Sequence, residues 1–309
     1  MQVVDELARY APGRETVATI GVFDGVHQGH RHLMERVLQR AREQGALSAV
    51  LTFHPIPRTV LAPGTVVPTL TTLEERLARI RALGIDLVVP LTFTLELSRL
   101  TAREFMTLVK QHLRLRGLVI GPDFALGRGR EGNADALRAL GAELGFWVET
   151  VSFVTAHGER VSSTAIRQAI EQGDVARARA LLGHPFSIRG TVIPGRGRGR
   201  ALGFPTANIE PLPGLALPAD GIYATMATVH DGRHSAATYI GTRPTFEGGE
   251  RLIEAFLLDF AENLYGRPIT IDLIERVRGD QRFASTEALT AQMERDIAEA
   301  RRILAGHQA

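Results

Sequence analysis

Two histidines stand close together where the first strongly apolar run ends, in residues 21–30, which read GVFDGVHQGH. The apolar run Val17–Val22 predicts a strand, and the apolar spacing after it predicts a helix over Arg31–Gln44. His27 and His30 then lie at or near the start of that helix, where backbone N–H groups and the helix dipole favour an anion. Two imidazoles would add hydrogen bonds, so the stretch predicts a phosphate-binding site.

A second stretch, Val161–Arg167, has the composition expected of a clamp on the same phosphates. Ser162 or Ser163 can cap the helix predicted to follow, and Arg167 lies one turn into it. Hydroxyl groups, helix N–H groups and a guanidinium would then face one anion. For the serines alone an ordinary helix cap explains the pattern, and Arg167 is what favours the phosphate site.

The histidine pair has two other interpretations. The side chains can form structural hydrogen bonds within a loop, or they can bind zinc, with His32 or His54 as a further ligand. The chain lacks cysteine and the HExxH spacing found in many zinc sites. The strand–loop–helix order favours the phosphate interpretation over both.

Two loops predicted at the ends of later strands carry residues suited to a ligand with a ring system. Phe53 ends the second predicted strand with Pro55 and Pro57 after it, and Asp123 and Phe124 follow the fourth. Loops at the carboxyl ends of parallel strands are where such sheets bind ligands. Packing in the hydrophobic core is the competing interpretation for the two phenylalanines.

A run rich in glycine and arginine, residues 193–209, reads IPGRGRGRALGFPTANI. Gly195 and the glycines after it allow the backbone to bend around phosphates. Thr206 and Asn208 share one face if the run is extended, and both offer the hard oxygen donors that Mg²⁺ prefers. A flexible basic loop ending in a Thr/Asn turn is the alternative interpretation.

One carboxylate, Glu254, stands in an otherwise apolar predicted strand. A carboxylate in such a place favours a functional purpose. An outward-facing strand carboxylate without a chemical role is the competing interpretation.

The composition limits the class of protein. The chain has 309 residues, 44% of them hydrophobic, which is enough for two domains. We find no apolar run of membrane-spanning length, no secretory signal and no cysteine, so we expect a cytoplasmic protein without disulfides. A net charge of +2 argues against a nucleic-acid partner. Lys110 is the only lysine, which excludes a lysine-containing P-loop.

Strands and helices are predicted to alternate over residues 1–184, which favours a doubly wound, Rossmann-like parallel sheet. The predicted strands are Val17–Val22, Ser48–Phe53, Asp86–Leu91, Gly117–Gly121 and Phe146–Val151. The predicted helices are Arg31–Gln44, Thr72–Leu83, Ala102–His112, Ala134–Leu144, Ser163–Gln172 and Val175–Leu182.

Short strands replace this alternation after residue 184 and predict a small antiparallel β-barrel. They are Phe186–Ile193, Gly221–Val229, His234–Ile240, Arg251–Phe260 and Ile269–Val277, with a hairpin signal at Asp231-Gly232. The barrel is followed by a helix over Ser285–Leu304. We therefore predict two domains, 1–184 and 185–309.

Several motifs in the first half resemble the bacterial bifunctional riboflavin kinase/FMN adenylyltransferase family, the FAD synthetases. They are GVFDGVHQGH, FHPIP, GPDFALG and VSSTAIR, in that order. The resemblance implies that this domain joins ATP and FMN into FAD and releases pyrophosphate. It implies catalytic roles for His27, His30 and Arg167. It also implies nucleotide contacts by Gly21, Phe23, Asp24, Gly29, Ser162, Ser163 and Thr164, and flavin contacts by Phe53, Pro55, Pro57, Asp123 and Phe124.

The second half resembles the riboflavin kinase part of the same family through GRALGF followed by PTAN, and through later stretches that include IEAFLLDF. The resemblance implies that Thr206 and Asn208 hold Mg²⁺ with ATP and that Glu254 takes the proton of the riboflavin 5′-hydroxyl. It implies nucleotide contacts by Gly195, Gly203 and Pro205, and a flavin contact by Arg278. The expected partners are therefore riboflavin, FMN, FAD and ATP, and the oligomeric state stays open.

Four positions depart from the pattern expected of the family. Leu126 stands where an aromatic residue is usual, Asn133 where aspartate is common, Tyr239 where asparagine is expected, and Asp280 where glutamate is usual. Tyr239 and Asp280 would favour an alternative, a monofunctional FMN adenylyltransferase whose barrel only binds flavin. A flavin or nucleotide sensor without turnover is a third possibility, although neither the histidine pair nor Glu254 is missing.

Overall fold

A computed structural model describes residues 1–195, 199, 202–243 and 250–307. Contacts between Cα atoms divide the chain into two compact units, Met1–Ser162 and Ser163–Ala309. The division places two helices before residue 184 with the second unit. The predicted domain boundary between 184 and 185 stays a prediction.

A five-stranded parallel sheet forms the centre of the first unit, as predicted. Its strands are β1 (Thr16–Gly21), β2 (Leu47–His54), β3 (Leu87–Thr92), β4 (Leu115–Ile120) and β5 (Trp147–Thr150). They lie in the order β3-β2-β1-β4-β5, and every neighbouring pair is parallel. A small antiparallel pair follows, β6 (Thr155–Ala156) and β7 (Glu159–Arg160).

Seven helices accompany this sheet in the described chain. They are α1 (Gln2–Arg9), α2 (Gln28–Glu43), α3 (Pro57–Leu61), α4 (Leu73–Ala82), α5 (Leu95–Ser98), α6 (Ala102–Leu113) and α7 (Ala134–Leu144), with a 3₁₀ turn at Arg128–Arg130. Thr101 starts α6 with a complete capping box, in which its hydroxyl accepts from the Glu104 N–H at 3.1 Å and its own N–H donates to the Glu104 carboxylate at 2.7 Å.

Two hydrophobic clusters cover the sheet. Ala18 and Ile20 of β1 belong to one cluster, whereas Val17 belongs to the other. Alternate side chains of a strand point to opposite faces, so both faces of the sheet are buried, as expected of a doubly wound fold. Trp147 packs over Gly117, where a side chain would collide with the indole ring, and its N–H donates to Gln44 at 3.2 Å.

The second unit begins with two helices and continues as a closed antiparallel barrel, as predicted, with one strand, Ala207–Pro211, more than the sequence predicted. The helices are α8 (Ser163–Glu171) and α9 (Val175–Leu182). The strands are β8 (Phe186–Ile193), β9 (Ala207–Pro211), β10 (Gly221–Val229), β11 (Gly232–Arg243), β12 (Glu250–Leu257) and β13 (Pro268–Gly279), closed in the order β10-β11-β12-β9-β8-β13.

The last helix, α10 (Thr286–Ala305), packs on the barrel wall. Ala300, Ile303 and Leu304 bury one side of it against Ala224 and Met226 of β10. In the part of the chain that the structure describes, no helix is both long enough and apolar enough to cross a membrane.

Candidate functional site

The histidine pair lies at the point where the strand order of the parallel sheet reverses. The chain leaves β1 towards β2 on one side, and β4 lies against β1 on the other. The loop with His27 and His30 leaves the carboxyl end of β1, and the loop with Asp123 and Phe124 leaves the carboxyl end of β4. Such a switch point is where open α/β sheets bind ligands.

His27 is the N-cap residue of α2. Its backbone is extended, and its Nδ1 accepts a hydrogen bond from the His30 N–H at 3.3 Å. The nitrogen that accepts carries no proton, so a neutral His27 bears its proton on Nε2 and can donate from there. The side chain is only 6% exposed. An imidazole thus caps the helix.

His30 stacks on His27, with 3.5 Å between the ring centroids and 17° between the ring planes. Phe23 meets His30 edge-on at 5.2 Å. Burial, the neighbouring His27 and the Arg76 guanidinium hold the pKa of His30 well below its usual value. Its Nδ1 is buried and makes no hydrogen bond to any described residue. An orphaned buried nitrogen of this kind suits a polar ligand.

Gly29 leaves room for this stack, because a Cβ at this position would lie 3.3 Å from the His27 ring. At Gly21 a Cβ would lie 2.8 Å from the Phe23 ring. Phe23 and Val26 both have positive φ angles, 53° and 43°. Strained backbone of this type clusters at functional loops.

Asp24 fixes the loop that follows β1 through hydrogen bonds. It is 2% exposed, and its carboxylate accepts from the N–H groups of Leu70 at 3.0 Å and Thr71 at 3.2 Å. Thr71 in turn accepts from the Gly25 N–H at 3.2 Å. These contacts tie the loop after β1 to the segment before α4. The predicted nucleotide contact of Asp24 stays a prediction.

Arg76 is a residue that sequence analysis missed. Its side chain is completely buried, and its Nη1 donates to the carbonyl oxygens of Val22 at 2.9 Å and Phe53 at 3.0 Å. The guanidinium therefore links the carboxyl ends of β1 and β2, where the chain enters the loop with His27 and His30. Arg76 lies four residues before the buried Ile80, so both side chains are on the same face of α4. An arginine on the apolar face of a predicted helix could have indicated from the sequence that it is buried.

The last residues of β2 place an aromatic side chain, Phe53, against the core. Phe53 is half-buried and meets Phe93 edge-on at 5.7 Å and Phe105 at 6.3 Å. A cis peptide bond joins His54 and Pro55, and Pro57 is the first residue of α3. The packing of Phe53 supports its core interpretation, and the flavin contacts of all three residues stay predictions.

The loop after β4 carries an ion pair. The exposed Asp123 accepts from Nη2 of Arg160 at 2.6 Å, and the same guanidinium lies 3.4 Å from the centre of the Phe153 ring. Phe124 is half-buried against the core. Arg160 is a second residue that sequence analysis missed. Its guanidinium pairs with a residue for which a flavin contact is predicted.

Asn133 is the N-cap residue of α7 and accepts from the Ala136 N–H at 3.0 Å. Asparagine and aspartate cap helices about equally well, so this departure from the family pattern leaves the local structure intact. Leu126 forms a short antiparallel bridge with Gly132 and packs against the core.

The predicted clamp is divided between the units. Ser162 ends the first unit, whereas Ser163, Thr164 and Arg167 belong to α8 of the second. The helix start at Ser163 agrees with the predicted helix. The phosphate contacts of all four residues stay predictions.

The barrel has a cavity of about 500 Å³ between its strands and α10, a size in the range of small-molecule sites. Asn208, Glu254 and Tyr239 lie side by side across it, because Glu254 is directly opposite Asn208 of β9 and opposite Tyr239 of β11. Thr206 and Pro205 also line this cavity. The structure thus brings together Thr206, Asn208 and Glu254, which lie far apart in the sequence.

Glu254 is half-buried, and its neighbours in β12, Ile253 and Ala255, are fully buried. Because side chains alternate along a strand, Glu254 points to the face of β12 opposite to Ile253 and Ala255. An outward-facing carboxylate, the competing interpretation, would have the same direction. That face lines the cavity instead of lying open to solvent. The geometry thus suits a chemical role for the carboxylate.

The glycine-rich run is described only in part. Gly195 lies against the Asn208 amide, where a Cβ would fall 2.8 Å from the amide oxygen and closer still to the nitrogen. Gly203 has a φ of 88°, which favours glycine. Residues 196–198, 200 and 201, with the arginines of the run, lie outside the described residues.

Arg278 lines the same cavity, and Asp296 of α10 accepts from it through three contacts of 2.7 to 3.1 Å. Asp296 is only 4% exposed. The pair ties the last strand to the last helix. The predicted flavin contact of Arg278 stays a prediction.

No group of three or more histidine, aspartate or glutamate side chains that could hold a metal ion occurs within residues 1–195, 199, 202–243 and 250–307. Within these residues, the histidine pair therefore has no third side chain with which it could bind zinc.

The fold and the two sites define a nucleotide-binding α/β unit followed by a barrel with a cavity for a small molecule. Family comparison agrees with this class. The FAD synthetase family model matches residues 11–165, and the riboflavin kinase family model matches residues 182–304.

Individual relatives match almost the whole chain. The bifunctional riboflavin kinase/FMN adenylyltransferase of Escherichia coli (strain K12) is 40% identical over 293 residues, which cover 94% of this chain and 93% of the relative. The protein of that name from Pseudomonas fluorescens is 39% identical over 308 residues, 99% of this chain and 98% of the relative. The chain belongs to the family of bifunctional riboflavin kinase/FMN adenylyltransferases.

A solved structure described as a macrolide-efflux protein from Streptococcus pneumoniae has the same fold, with a TM-score of 0.91, 29% identity and 97% coverage of both chains. The matches in both halves confirm the resemblance seen in the motifs and support the bifunctional interpretation over the monofunctional one.

Proposed function

We propose that the protein makes flavin cofactors in two steps. The barrel transfers the γ-phosphate of ATP to the 5′-hydroxyl of riboflavin, giving FMN and ADP. The α/β unit then joins FMN to the AMP part of a second ATP, giving FAD and pyrophosphate. What carries the proposal is the coexistence of a histidine pair at the sheet's switch point with Glu254 and Asn208 in one barrel cavity, in a chain matched by both family models.

In the adenylyl transfer, a phosphate oxygen of FMN attacks the α-phosphorus of ATP while the bond to the β-phosphate oxygen breaks. The protein supplies no covalent nucleophile and acts by position and charge. His27 donates from Nε2 to a phosphate oxygen, and the orphaned His30 nitrogen faces the same anion. We assign the remaining phosphate contacts to Ser162, Ser163, Thr164 and Arg167.

In the kinase reaction, Glu254 accepts the proton of the riboflavin 5′-hydroxyl as that oxygen bonds to the γ-phosphorus and ADP leaves. Thr206 and Asn208 would hold Mg²⁺, since a hydroxyl and an amide oxygen are hard donors that suit this ion. The bound ion would neutralise charge on the ATP phosphates. Gly195 leaves the space in which the Asn208 amide sits.

The test is a time course with purified protein, riboflavin, ATP and Mg²⁺, in which the flavins are separated by chromatography. We expect FMN to appear first and FAD to replace it. FAD formed from added FMN, without FMN from riboflavin, would reduce the barrel to a binding module. No product from either flavin would overturn the proposal. The cytoplasmic location and the lack of a nucleic-acid partner stay predictions.

A further inference from the structure

Tyr239 occupies a position in the barrel cavity that the proposed reaction does not use. It lies on β11 directly opposite Glu254 of β12, and both side chains line the cavity. Directly opposed residues of antiparallel strands have Cβ atoms about 5 Å apart. A substrate whose hydroxyl reaches Glu254 therefore passes next to the Tyr239 ring.

Gly241 shows where the Tyr239 ring goes. The three atoms nearest to the Cβ that Gly241 lacks all belong to the Tyr239 side chain, namely Oη, Cζ and Cε1, and all lie within 2.8 Å. The phenol thus folds along its own strand over Gly241. Because Gly241 pairs with Leu252, the end of the ring lies towards Leu252, two residues along β12 from Glu254.

Burial and the charges around the phenol favour its neutral form. Burial raises the pKa of Tyr239, and the carboxylates of Asp280, Asp220 and Glu254 raise it further. Asp280 lines the cavity on the segment that follows β13. The ring therefore offers a flat apolar face with a protonated hydroxyl turned towards carboxylates.

We propose that Tyr239 is a specificity-determining residue of the kinase site, and that its ring, folded over Gly241, forms the wall against which the flavin of the substrate packs. The inference rests on the proposed function, because it takes Glu254 as the place of the reacting hydroxyl. Aromatic faces suit this task, since offset stacking adds to the burial of apolar area. Gly241 acts as a positioning residue by leaving space for the ring.

A double-substitution cycle tests the proposal in the full chain. Tyr239→Ala should raise the KM for riboflavin about tenfold through loss of an aromatic contact, with the KM for ATP unchanged. Gly241→Ala should raise it about fivefold, because the added methyl group pushes the ring into the cavity. In the Tyr239→Ala background, Gly241→Ala should have no further effect on riboflavin, since no ring remains to be displaced.

A binding measurement gives a readout besides activity. Quenching of riboflavin fluorescence, titrated without ATP, should show the same order of dissociation constants as the KM values. Tyr223→Phe is the matched control. Tyr223 is fully buried in the neighbouring strand β10 and donates to the Ala219 carbonyl at 2.6 Å. We expect this control to lower stability and leave riboflavin binding unchanged.

The outcomes separate this inference from the proposed function. If the unaltered protein makes FMN but Tyr239→Ala and Gly241→Ala leave both riboflavin constants unchanged, the inference is wrong and the kinase assignment stands. If the two substitutions act additively, Gly241 does not act through Tyr239. If the unaltered protein makes no FMN from riboflavin, the kinase assignment itself fails.

Discussion

The two imidazoles of the first site have different tasks although they stack on each other. His27 uses Nδ1 to cap α2, so its orientation is fixed by the helix it starts. His30 has a buried Nδ1 without a partner among the described residues, so its orientation depends on ring packing against His27 and Phe23. A phosphate of the ligand would therefore supply a hydrogen-bond partner that His30 Nδ1 lacks, whereas His27 Nδ1 already has one.

The environment of His30 makes the stability of the protein depend on pH. Because the pKa of His30 is lowered in the folded state, protonation favours the unfolded chain. The stabilising effect is complete above the usual histidine pKa of 6.5 and is lost as the pH falls towards the lower folded value. We expect the free energy of unfolding, measured with urea by circular dichroism, to fall between about pH 7.5 and about pH 5.5.

His30→Gln should make that decrease smaller, because the group that titrates is gone. His157→Gln serves as the control, since His157 lies exposed in the turn between β6 and β7. An equal decrease in His30→Gln and in the unaltered protein would contradict the assignment to His30.

Substitutions at the two sites should separate the two activities. His30→Ala should lower FAD formation from FMN by about a hundredfold and leave FMN formation nearly intact, because electrostatic contacts to a transition state are typically worth this much. Chromatographic assays started from riboflavin and from FMN measure the two rates. An equal loss of both activities would show that the sites are not separate.

Glu254→Gln should have the opposite effect. The amide keeps the size of the side chain but cannot accept the hydroxyl proton, so FMN formation should fall by about a hundredfold or more. FAD formation from added FMN should persist. Unchanged kinase activity would remove Glu254 as the base.

At the scale of elements, helix α4 positions the first site through Arg76. Arg76→Met removes a buried guanidinium that satisfies two carbonyl oxygens at the ends of β1 and β2. We expect a loss of about 3 kcal/mol in the free energy of unfolding, because buried acceptors are left without partners. FAD formation should fall as well, since the loop carrying the histidines is no longer held.

Arg81→Met is the matched control for this helix. Arg81 belongs to α4 as well, but its side chain is exposed. A substitution at such a surface position usually changes stability by about 0.5 kcal/mol or less. If urea unfolding gives similar losses for both variants, Arg76 has no special structural role.

The elements that the sequence predicts best are those with a regular pattern and clear ends. Phe186–Ile193 and Gly221–Val229 have the predicted bounds, because alternating apolar residues stop at turn residues. β9 was missed as a strand because it is short and contains Asn208, Glu210 and Pro211. Its place is fixed by pairing with β8 and β12, which lie far away in the sequence.

The candidate site residues divide in the same way, into features with a local sequence signal and features that depend on tertiary contacts. The sequence predicts which residues can bind phosphate and which loops carry them, because helix starts and strand ends have local signals. Stacking of His27 on His30, the buried bridge made by Arg76 and the neighbourhood of Glu254 and Tyr239 are tertiary properties. They depend on contacts between segments that no local pattern connects.

At the scale of the whole molecule, two helices precede the barrel within the second unit. Val175, Ala178 and Leu182 of α9 are buried, and Arg276 of β13 donates to the Gln172 carbonyl at 3.3 Å. A Cβ at Gly173 would lie 2.8 Å from the Tyr223 hydroxyl. The helices are therefore packed parts of this unit.

Fragments with different starting points test this organisation. We expect residues 163–309 and residues 185–309 both to make FMN, and the longer fragment to be more stable by at least about 2 kcal/mol, because it keeps the apolar face of α9 buried. Thermal unfolding followed by circular dichroism measures the difference. Equal stability would show that α8 and α9 add nothing to the barrel, and an insoluble shorter fragment would place the boundary before residue 185.

Trp147, the single tryptophan of the chain, lies on β5 over Gly117 in the first unit. Its indole N–H meets Gln44 just after α2, the helix that begins at the histidine pair. The protein thus carries an intrinsic optical label for one of its units only. Tryptophan fluorescence therefore reports the unfolding of the α/β unit, and unfolding of the barrel does not change this signal directly. A difference between that curve and the ellipticity curve would measure how strongly the two units cooperate.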